Sequence, residues 1–420
     1  MAELKFNSGD YVKLRLAKKE IEGRILESYE KNVVLLKLKS GYNIGIPQEN
    51  IFDAKVLKKF KDDDKTEKDV KFDDGKKTIG LIVTGGTIAS KLDSRTGGVS
   101  ALASVSDFKK FYPFVFEKCN VKIKIPFMEL SENMNSEHWK KIAVECERFL
   151  NDSNVDGVVI THGSDILHYT SAALSFFLRN LNKPVVLTFS QRSIDRASSD
   201  AEMNLKCAVE MALSGCAEVM IVGHATINDD FCYALSGTKT RKMHTSRRDT
   251  FKPVNIKPIA KVFVDGKIEF LGGYRPRNKE KVLLDDKFSD KIALVKFYPG
   301  QDAEILQYYK DKGYKGIIIE MTGLGHVNSD WIVKLKKIIK EGLVVCAAPQ
   351  TIYGRLNPKV YSNGRELEKA GVIYLEDMLA ETAFVKLGWV LGHNNWRGAD
   401  KVREKMLTNI AGEFNEFITE

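Results

Sequence analysis

Cysteine is scarce in this chain of 420 residues, and its distribution excludes two kinds of protein. With no close pair at metal-ligand spacing and no dense pattern, the cysteines fit neither a structural metal site nor a disulfide-rich scaffold. The six are Cys119, Cys146, Cys207, Cys216, Cys232 and Cys346. Scattered thiols of this kind are typical of the core of a protein in a reducing compartment.

Long apolar runs are missing as well. No run reaches the roughly 20 residues that a transmembrane helix requires. The first ten residues also lack the basic segment followed by an apolar segment that marks a secretory leader. We therefore expect a cytoplasmic protein with no membrane partner.

Nucleotide-binding motifs and internal repeats are also absent. Residues 84–91 contain glycines and a lysine, but not in the order of a P-loop. Gly323-Leu324-Gly325 lacks the third glycine of a dinucleotide-binding fingerprint. No segment repeats at a fixed period. The chain itself is therefore predicted to bind no nucleotide and no other cofactor.

Positive charge is what the chain has in slight excess. Lysine and arginine total 65 against 56 aspartate and glutamate residues, which gives a net charge of +9. This balance permits a polyanionic partner, although solubility alone also explains a lysine-rich surface. The length allows two or three domains with substantial cores.

The first sixty residues differ from the rest because they resemble antiparallel strands. Residues 11–16 alternate polar with apolar side chains, and residues 33–46 are typical of a hairpin that turns at Ser40-Gly41. We predict a small β-barrel domain over residues 1–60. Residues 61–77 are charged and lack apolar periodicity, which favours a flexible linker.

Beyond the linker, short apolar strands alternate with helical segments. This alternation predicts an α/β domain with a mostly parallel, doubly wound sheet over residues 78–275. A connector over 276–291 would lead to a smaller α/β domain with a helical tail over 292–420. The candidate strands are 80–83, 155–160, 185–188, 219–222, 292–297, 316–320 and 344–347, and the candidate C-terminal helices are 378–391 and 401–417.

Two strand ends carry hydroxyl groups. The apolar strand at 79–83 runs into Thr84-Gly85-Gly86-Thr87, where the glycines allow a tight turn that projects the Thr87 hydroxyl. Taken alone, a strand followed by two glycines also occurs in α/β proteins with no catalytic threonine. A second apolar strand at 156–160 ends in Thr161-His162-Gly163-Ser164-Asp165. Parallel strands present such loops at one edge of their sheet.

These two motifs together resemble the asparaginase/glutaminase family. In that family a threonine after the first strand attacks a side-chain amide, and a second hydroxyl-Asp pair assists it. Ser131-Glu132-Asn133-Met134 stands where the family has its substrate-binding loop. The segment 240–245 matches the one that carries the family's catalytic lysine. The resemblance therefore implies an amidohydrolase with an asparaginase-like fold.

Longer stretches resemble one branch of that family, the D subunits of archaeal glutamyl-tRNA(Gln) amidotransferases. They are residues 190–200, 229–232 and 237–249, and the likeness covers roughly residues 1–400. It implies a glutaminase that supplies ammonia to a partner, the E subunit, which uses ATP and Mg to convert Glu-tRNA(Gln) to Gln-tRNA(Gln). It also implies a homodimer within an α2β2 assembly, with residues 323–328 completing the site of the other copy.

The resemblance assigns a role to each matched residue. Thr87 is the nucleophile, Lys242 the base, Asp165 the group that orients the lysine, and Ser164 a relay between them. A lysine accepts a proton only when its amine is neutral, which desolvation or a neighbouring cation favours. The glycines of the Thr87 loop leave backbone amides free to face an oxyanion.

Substrate binding falls to a second group of residues. Ser131 would bind the α-carboxylate of glutamine and Glu132 its α-ammonium, while Gly86 and Gly163 would shape the pocket. For Asp165 the alternative role is a helix N-cap, and for Lys242 an ordinary surface lysine. His162 and His168 lack a matching carboxylate or cysteine set, so no metal is assigned.

The chain departs from the family pattern at three places. Ser164 and Ile166 stand where threonines are usual, so the orientation at Ser164 is looser and a hydrogen bond after Asp165 is in doubt. No tyrosine lies between Ala89 and Ala101, where many free-standing asparaginases have an activating one. The loop 93–99 instead resembles the amidotransferase version, which fits an enzyme of low activity until its partner and tRNA dock.

Three questions stay open from the sequence. The chain fits a free-standing L-asparaginase or glutaminase less well, because of its N-terminal domain and missing tyrosine. A catalytically silent scaffold that binds tRNA or a translation protein is the other alternative.

The basic side chains of the N-terminal domain would contact either tRNA(Gln) or a subunit interface, and the lack of interleaved aromatic residues favours the interface. They are Lys13, Arg15, Lys18 and Lys19.

Overall fold

The computed structural model describes residues 6–26, 28, 32–38, 43–59, 72–92, 99–102, 105–196 and 198–417. Three predicted features fall wholly or largely outside these residues: the turn at 40–41, most of the linker 61–77, and the loop 93–99 apart from its last residue. Within the described part, no helix is both long and apolar enough to span a bilayer.

An antiparallel sheet of five strands forms the N-terminal part. Its spatial order is β4-β3-β2-β1-β5. Val12 and Leu14 are fully buried, as the alternating pattern predicts, and they pack with Val34 and Leu36 from the hairpin. Closure into a barrel stays a prediction, since β4 and β5 do not pair within the described residues. The strands are β1 (Tyr11–Arg15), β2 (Glu20–Leu26), β3 (Val33–Leu38), β4 (Asn43–Pro47) and β5 (Asp53–Lys58).

The larger α/β region follows. Its strands up to His224 are β6 (Thr78–Val83), β7 (Ser90–Leu92), β8 (Val99–Ala101), β9 (Asn120–Lys124), β10 (Gly157–Thr161), β11 (Leu178–Arg179), β12 (Val185–Thr188) and β13 (Val219–His224). The later strands are β14 (Cys232–Ser236), β15 (Thr240–Lys242), β16 (Phe251–Pro253), β17 (Ala260–Val262), β18 (Ile268–Phe270) and β19 (Leu283–Leu284). The helices are α1 (Val105–Phe111), α2 (Pro113–Lys118), α3 (Ser136–Asn151), α4 (Leu167–Phe177) and α5 (Ala201–Ala212).

Eight of these strands form one sheet in the order β18-β17-β14-β13-β12-β10-β6-β9. The run from β9 to β13 is parallel, and β14, β17 and β18 continue it in antiparallel pairing. Both faces are covered: α3 and α4 pack with Val158 and Ile160 on one side, while α1, α2 and α5 pack with Val159 on the other. This is the doubly wound arrangement that the apolar runs predict, because a sheet buried on both faces needs apolar side chains at every position.

The smaller α/β region contains a four-stranded parallel sheet in the order β20-β21-β22-β23. Its strands are β20 (Ile292–Lys296), β21 (Gly316–Met321), β22 (Val344–Pro349) and β23 (Ile373–Tyr374). The helices are α6 (Glu304–Asp311), α7 (Ser329–Lys340), α8 (Ser362–Ala370), α9 (Ala380–Gly392) and α10 (Ala399–Leu407). Helix α9 packs against both α4 and the small sheet, so one apolar cluster runs through both regions.

The predicted helix over residues 401–417 is wrong in its second half. Helix α10 ends at Leu407, and residues 408–417 are irregular. Side chains take over the backbone hydrogen bonds there: the Lys386 amine donates to the carbonyls of Met406 and Thr408 at 2.9 and 2.7 Å. The Glu413 carboxylate accepts from the amides of Ile410 and Ala411. Because these groups are already satisfied, helix continuation would gain nothing.

Candidate active site

The loops after β6 and β10 lie side by side at one edge of the large sheet. The two strands are parallel neighbours, with Val83 opposite Thr161. Just past their ends, both the amide and the hydroxyl of Thr84 donate to the Thr161 carbonyl, at 3.2 and 2.9 Å. These bonds fix the start of the Thr87 loop relative to the loop that carries Ser164 and Asp165.

Two glycines allow these loops to come into direct contact. Gly85 and Gly86 have φ values of 118° and 76°, a region that side-chain-bearing residues rarely adopt. A Cβ on Gly86 would lie 2.4 Å from the backbone nitrogen of Gly163, and one on Gly85 would lie 2.4 Å from the carbonyl oxygen of Glu129. Only glycine fits at either position, so the tight approach depends on the sequence Gly85-Gly86.

Thr87 begins the 3₁₀ turn Thr87–Ala89 directly after this contact. It is half-buried, whereas the two residues after it are buried. The Ser90 hydroxyl donates to the Gly86 carbonyl at 2.7 Å and closes the turn from behind. The structure therefore places Thr87 on a short, internally bonded turn beside Gly163.

The predicted substrate loop lies against the same place. Ser131 begins a 3₁₀ turn, Ser131–Asn133, and is buried. Its hydroxyl accepts a hydrogen bond from the Asp165 amide at 3.3 Å, and a Cβ on Gly163 would lie 2.8 Å from that hydroxyl. Glu132, the next residue, is exposed. Ser131 is therefore part of the cluster, and Glu132 stands at its solvent side.

Lys242 reaches this cluster from a distant part of the chain. Its amine donates to the Ser164 hydroxyl at 3.0 Å and to the Asp165 carboxylate at 2.6 Å. The lysine side chain is only 12% exposed, while that of Asp165 is 60% exposed. Lys242 is therefore not an ordinary surface lysine. Asp165 is not the helix cap either, because Ile166 holds the N-cap position of α4.

One supporting pair was not foreseen from the sequence. Arg241, adjacent to Lys242, forms an ion pair with Glu381 on α9 at 3.0 Å, and Glu381 is buried. A charge pair between such distant positions leaves no local signal in one sequence. Its consequence is that β15, the strand that carries Lys242, is tied to α9.

The two histidines of this region are buried and act structurally. The Nδ1 of His162 lies 2.7 Å from the Gly163 carbonyl, and its Nε2 lies 2.9 Å from the Thr170 hydroxyl. Burial lowers the pKa of His162 to about 4 and that of His168 to about 3. Neutral imidazoles follow, so the turn between β10 and α4 holds no extra charge at neutral pH.

The arrangement has the parts of a covalent amide hydrolase. A half-buried threonine, a lysine bonded to a second hydroxyl and a carboxylate, and glycine-rich backbone lie on adjoining loops at the ends of two strands. The part of the chain that the structure describes contains no group of three or more His, Cys, Asp or Glu residues placed to hold a metal ion.

Comparison with known proteins adds an independent result. Residues 78–274 match the family model Asparaginase, N-terminal, and residues 291–406 match the Glutaminase/Asparaginase C-terminal domain. Residues 6–57 match the GatD N-terminal domain. Among solved structures, a thermostable L-asparaginase from Thermococcus kodakarensis has a TM-score of 0.72 at 30% identity, covering 81% of this chain and 100% of that one.

Full-length relatives carry one name. The chain is 50% identical over 419 residues to the D subunit of the glutamyl-tRNA(Gln) amidotransferase of Pyrococcus furiosus, a match that covers 97% of this chain and 95% of that protein. The protein of the same name from Thermococcus kodakarensis is 49% identical over 421 residues, with 97% and 94% covered. The match thus includes the N-terminal sheet as well as both α/β regions.

Proposed function

Since the chain belongs to the family of glutamyl-tRNA(Gln) amidotransferase D subunits, we propose that it hydrolyses the side-chain amide of glutamine with Thr87 as the nucleophile. The observation that carries this proposal is the amine of Lys242, whose side chain is only 12% exposed and which is bonded to Ser164 and Asp165 beside the Gly86–Gly163 contact. A solvated lysine would have no reason to occupy that position.

Binding comes first in the proposed reaction. The Ser131 hydroxyl donates to the α-carboxylate of glutamine, and Glu132 pairs with its α-ammonium. Gly86 and Gly163 leave space for the carboxamide between the two loops. Burial of Ser131 and exposure of Glu132 fit a substrate that enters from the solvent side and places its carboxylate innermost.

Acylation follows. The Thr87 hydroxyl oxygen attacks the carboxamide carbon and passes its proton to the Lys242 amine, directly or through the Ser164 hydroxyl. Backbone amides of the Gly85-Gly86 turn stabilise the oxyanion. When the C–N bond breaks, the Lys242 ammonium returns the proton to the leaving nitrogen. The products are ammonia and a γ-glutamyl ester on Thr87.

Deacylation repeats these roles with water. Water attacks the ester carbon, gives a proton to Lys242 and displaces the Thr87 oxygen, which regains that proton as glutamate leaves. Asp165 holds the lysine amine at 2.6 Å and balances its charge in each half-reaction. Ser164 keeps the hydroxyl that the relay needs, although it lacks the methyl group that restricts a threonine rotamer.

The remaining steps belong to a partner. We propose that the ammonia passes to the E subunit, which activates the glutamyl group of Glu-tRNA(Gln) with ATP and Mg and forms Gln-tRNA(Gln). The names of the full-length relatives support this assignment, and so does the match to the GatD N-terminal domain. An α2β2 assembly built on a homodimer of this chain is part of the same proposal.

A reactive glutamine analogue tests the nucleophile. The γ-diazoketone of glutamine alkylates nucleophiles that attack the carboxamide position, so it should label the native chain on Thr87, as read by peptide mass. Thr87→Val should remove the label. Thr226→Val should not, since Thr226 is a half-buried threonine after β13, two strands away from β10 in the same sheet. An adduct that persists in Thr87→Val, or one on another residue, would contradict the proposal.

A further inference from the structure

The segment after α10, residues 408–417, is held by buried charges although it has no regular structure. Lys386 and Glu413 are both fully buried and form an ion pair at 2.5 Å. The same lysine and carboxylate also bind backbone groups of this segment and of the end of α10. We call residues 408–417 the tail. A buried pair with this many partners fixes the tail firmly to α9.

A second buried pair connects the tail to the large domain. The amine of Lys239 is fully buried and donates to the Asp377 carboxylate at 2.7 Å and to the Asp377 carbonyl at 2.8 Å. Asn415 of the tail donates to the same carboxylate through its backbone and side-chain nitrogens, both at 2.9 Å. Its side chain also donates to the Asn255 carbonyl at 2.9 Å.

Lys239 stands three residues before Lys242 and directly before β15. The residue ahead of it, Thr238, is held twice: its carbonyl accepts from the Thr382 hydroxyl at 2.7 Å, and its own hydroxyl donates to the tail carbonyl of Ala411 at 3.0 Å. With the Arg241–Glu381 pair, three of the four residues before Lys242 are tied to the smaller region or the tail.

Strand β15 needs this support because it is not a strand of the large sheet, to which it is joined by the Thr240 hydroxyl donating to the Ser236 carbonyl of β14 at 2.6 Å. Among the described residues, β15 pairs only with β16, and the two form a separate two-stranded sheet. Such a ribbon is marginally stable by itself. Yet Lys242, the last residue of β15, must hold its amine within hydrogen-bond distance of two residues that belong to another loop.

We propose that Asn415 and Asp377 are positioning residues for amide hydrolysis: through Lys239 they set the place of β15 and hence of the Lys242 amine. This inference rests on the proposed role of Lys242 and adds the tail to the machinery of the site. The tail follows the region that matches the asparaginase models, whereas Lys239 and Asp377 lie within it.

Asn415→Ala tests the proposal, since it deletes two hydrogen bonds and leaves the Lys239–Asp377 pair intact. Asn394→Ala is the matched control, because Asn394 is exposed and its side chain accepts from Arg397. Both variants are assayed as full chains with the partner subunit and Glu-tRNA(Gln). We expect kcat for glutamine to fall about tenfold in Asn415→Ala with KM within about twofold, since small misplacement of a catalytic group slows chemistry rather than binding.

Labelling of Thr87 at saturating diazoketone should slow by the same factor in Asn415→Ala and stay native in Asn394→Ala. If native protein is labelled on Thr87 but Asn415→Ala keeps the native kcat and labelling rate, the tail inference is wrong and the proposed function stands. If the native protein is not labelled on Thr87, both the proposed function and the tail inference are wrong. Should Asn415→Ala unfold, Asn415→Ser replaces it: a native kcat in that variant, whose short side chain loses the same two hydrogen bonds, overturns the inference.

Discussion

At the residue scale, Gly86, Gly163 and Ser131 determine how closely the loops of the site pack together. Gly86 brings the nucleophile loop onto Gly163, and Gly163 in turn lies under Ser131. The distance from a Cβ on Gly163 to the Ser131 hydroxyl, 2.8 Å, is shorter than any unstrained contact. The loops that carry Thr87, Ser164 and Ser131 thus pack against one another through glycine hydrogen atoms, at positions where other residues would have a Cβ.

Gly163→Ala should therefore damage substrate binding. The new methyl group pushes Ser131 from the position where it accepts from the Asp165 amide. We expect KM for glutamine to rise about tenfold and stability to fall by about 1–3 kcal/mol, as overpacking does. Steady-state kinetics and thermal unfolding measure both. Gly215→Ala is the control, because its Cβ would meet nothing within 4 Å; equal effects in the two variants would refute this role.

Single residues were also where the sequence was most informative about the site. Thr87, Ser164, Asp165 and Lys242 stand in motifs that resemble a known family, and the structure brings them into one cluster. Their catalytic roles stay predictions. The supporting roles of Lys239 and Glu381 were not predicted. Each forms an ion pair with a residue far away in the sequence, Asp377 and Arg241 respectively, and such pairs have no local sequence pattern.

At the element scale, the turn between β10 and α4 depends on neutral histidines. His162 is fully buried, and its pKa of about 4 lies below the value near 6.5 of an exposed imidazole. Between about pH 4 and about pH 6.5, His162 is therefore protonated in the unfolded chain and neutral in the folded chain. Stability from this residue is fully present above about pH 6.5 and is lost as the pH falls toward about 4.

Acid should accordingly weaken the fold in a window set by these imidazoles. From about pH 6.5 to about pH 5, we expect a loss of about 1.5 kcal/mol for His162, and His168 acts in the same direction. Urea unfolding at the two pH values measures it. His162→Gln should lose part of this pH dependence; a slope identical to that of the native protein would show that His162 does not cause it.

Elements with strong periodicity were predictable, whereas the tail was not. The parallel strands have apolar side chains at nearly every position, and helix α9 has a long apolar segment. In the sequence, residues 408–417 continue the helical pattern that begins at residue 401. In the fold, Lys386 and Glu413 capture their backbone groups, a tertiary effect that local propensity does not contain.

At the scale of the whole molecule, helix α9 joins the two α/β regions. The N-terminal sheet is a separate part, and it carries exposed positive charge. Lys13 of that sheet already pairs with Glu20 at 2.9 Å and with Glu22 at 3.6 Å. Lys18 and Lys19, in the turn between β1 and β2, are exposed. Part of the positive charge is therefore internally balanced, which agrees with a bracing role more than with a tRNA surface.

Reversing those charges tests the prediction. Lys18→Glu combined with Lys19→Glu should leave the affinity of the assembled enzyme for tRNA(Gln) within about twofold, because these lysines neutralise no phosphates. Filter binding at several salt concentrations measures it. A loss of tenfold or more, with a shallower salt dependence, would instead assign the N-terminal sheet to the RNA.

Architecture at this scale was largely readable from the sequence. Alternating strands and helices predicted a doubly wound sheet and a second α/β region, and alternating residues predicted the N-terminal strands. The three antiparallel strands that extend the large sheet, and α9 as the joint, depend on contacts between distant segments. Such contacts leave no periodic signal in a single chain.

We propose above that Thr87 releases ammonia from glutamine for a tRNA bound by the partner subunit. The most direct measurement is glutamine hydrolysis by the purified chain, alone and then with the partner subunit and Glu-tRNA(Gln), with Thr87→Val in parallel. We expect activity that rises steeply in the complete mixture and is absent from Thr87→Val. Equal hydrolysis of free asparagine by the chain alone, or activity that survives in Thr87→Val, would contradict it.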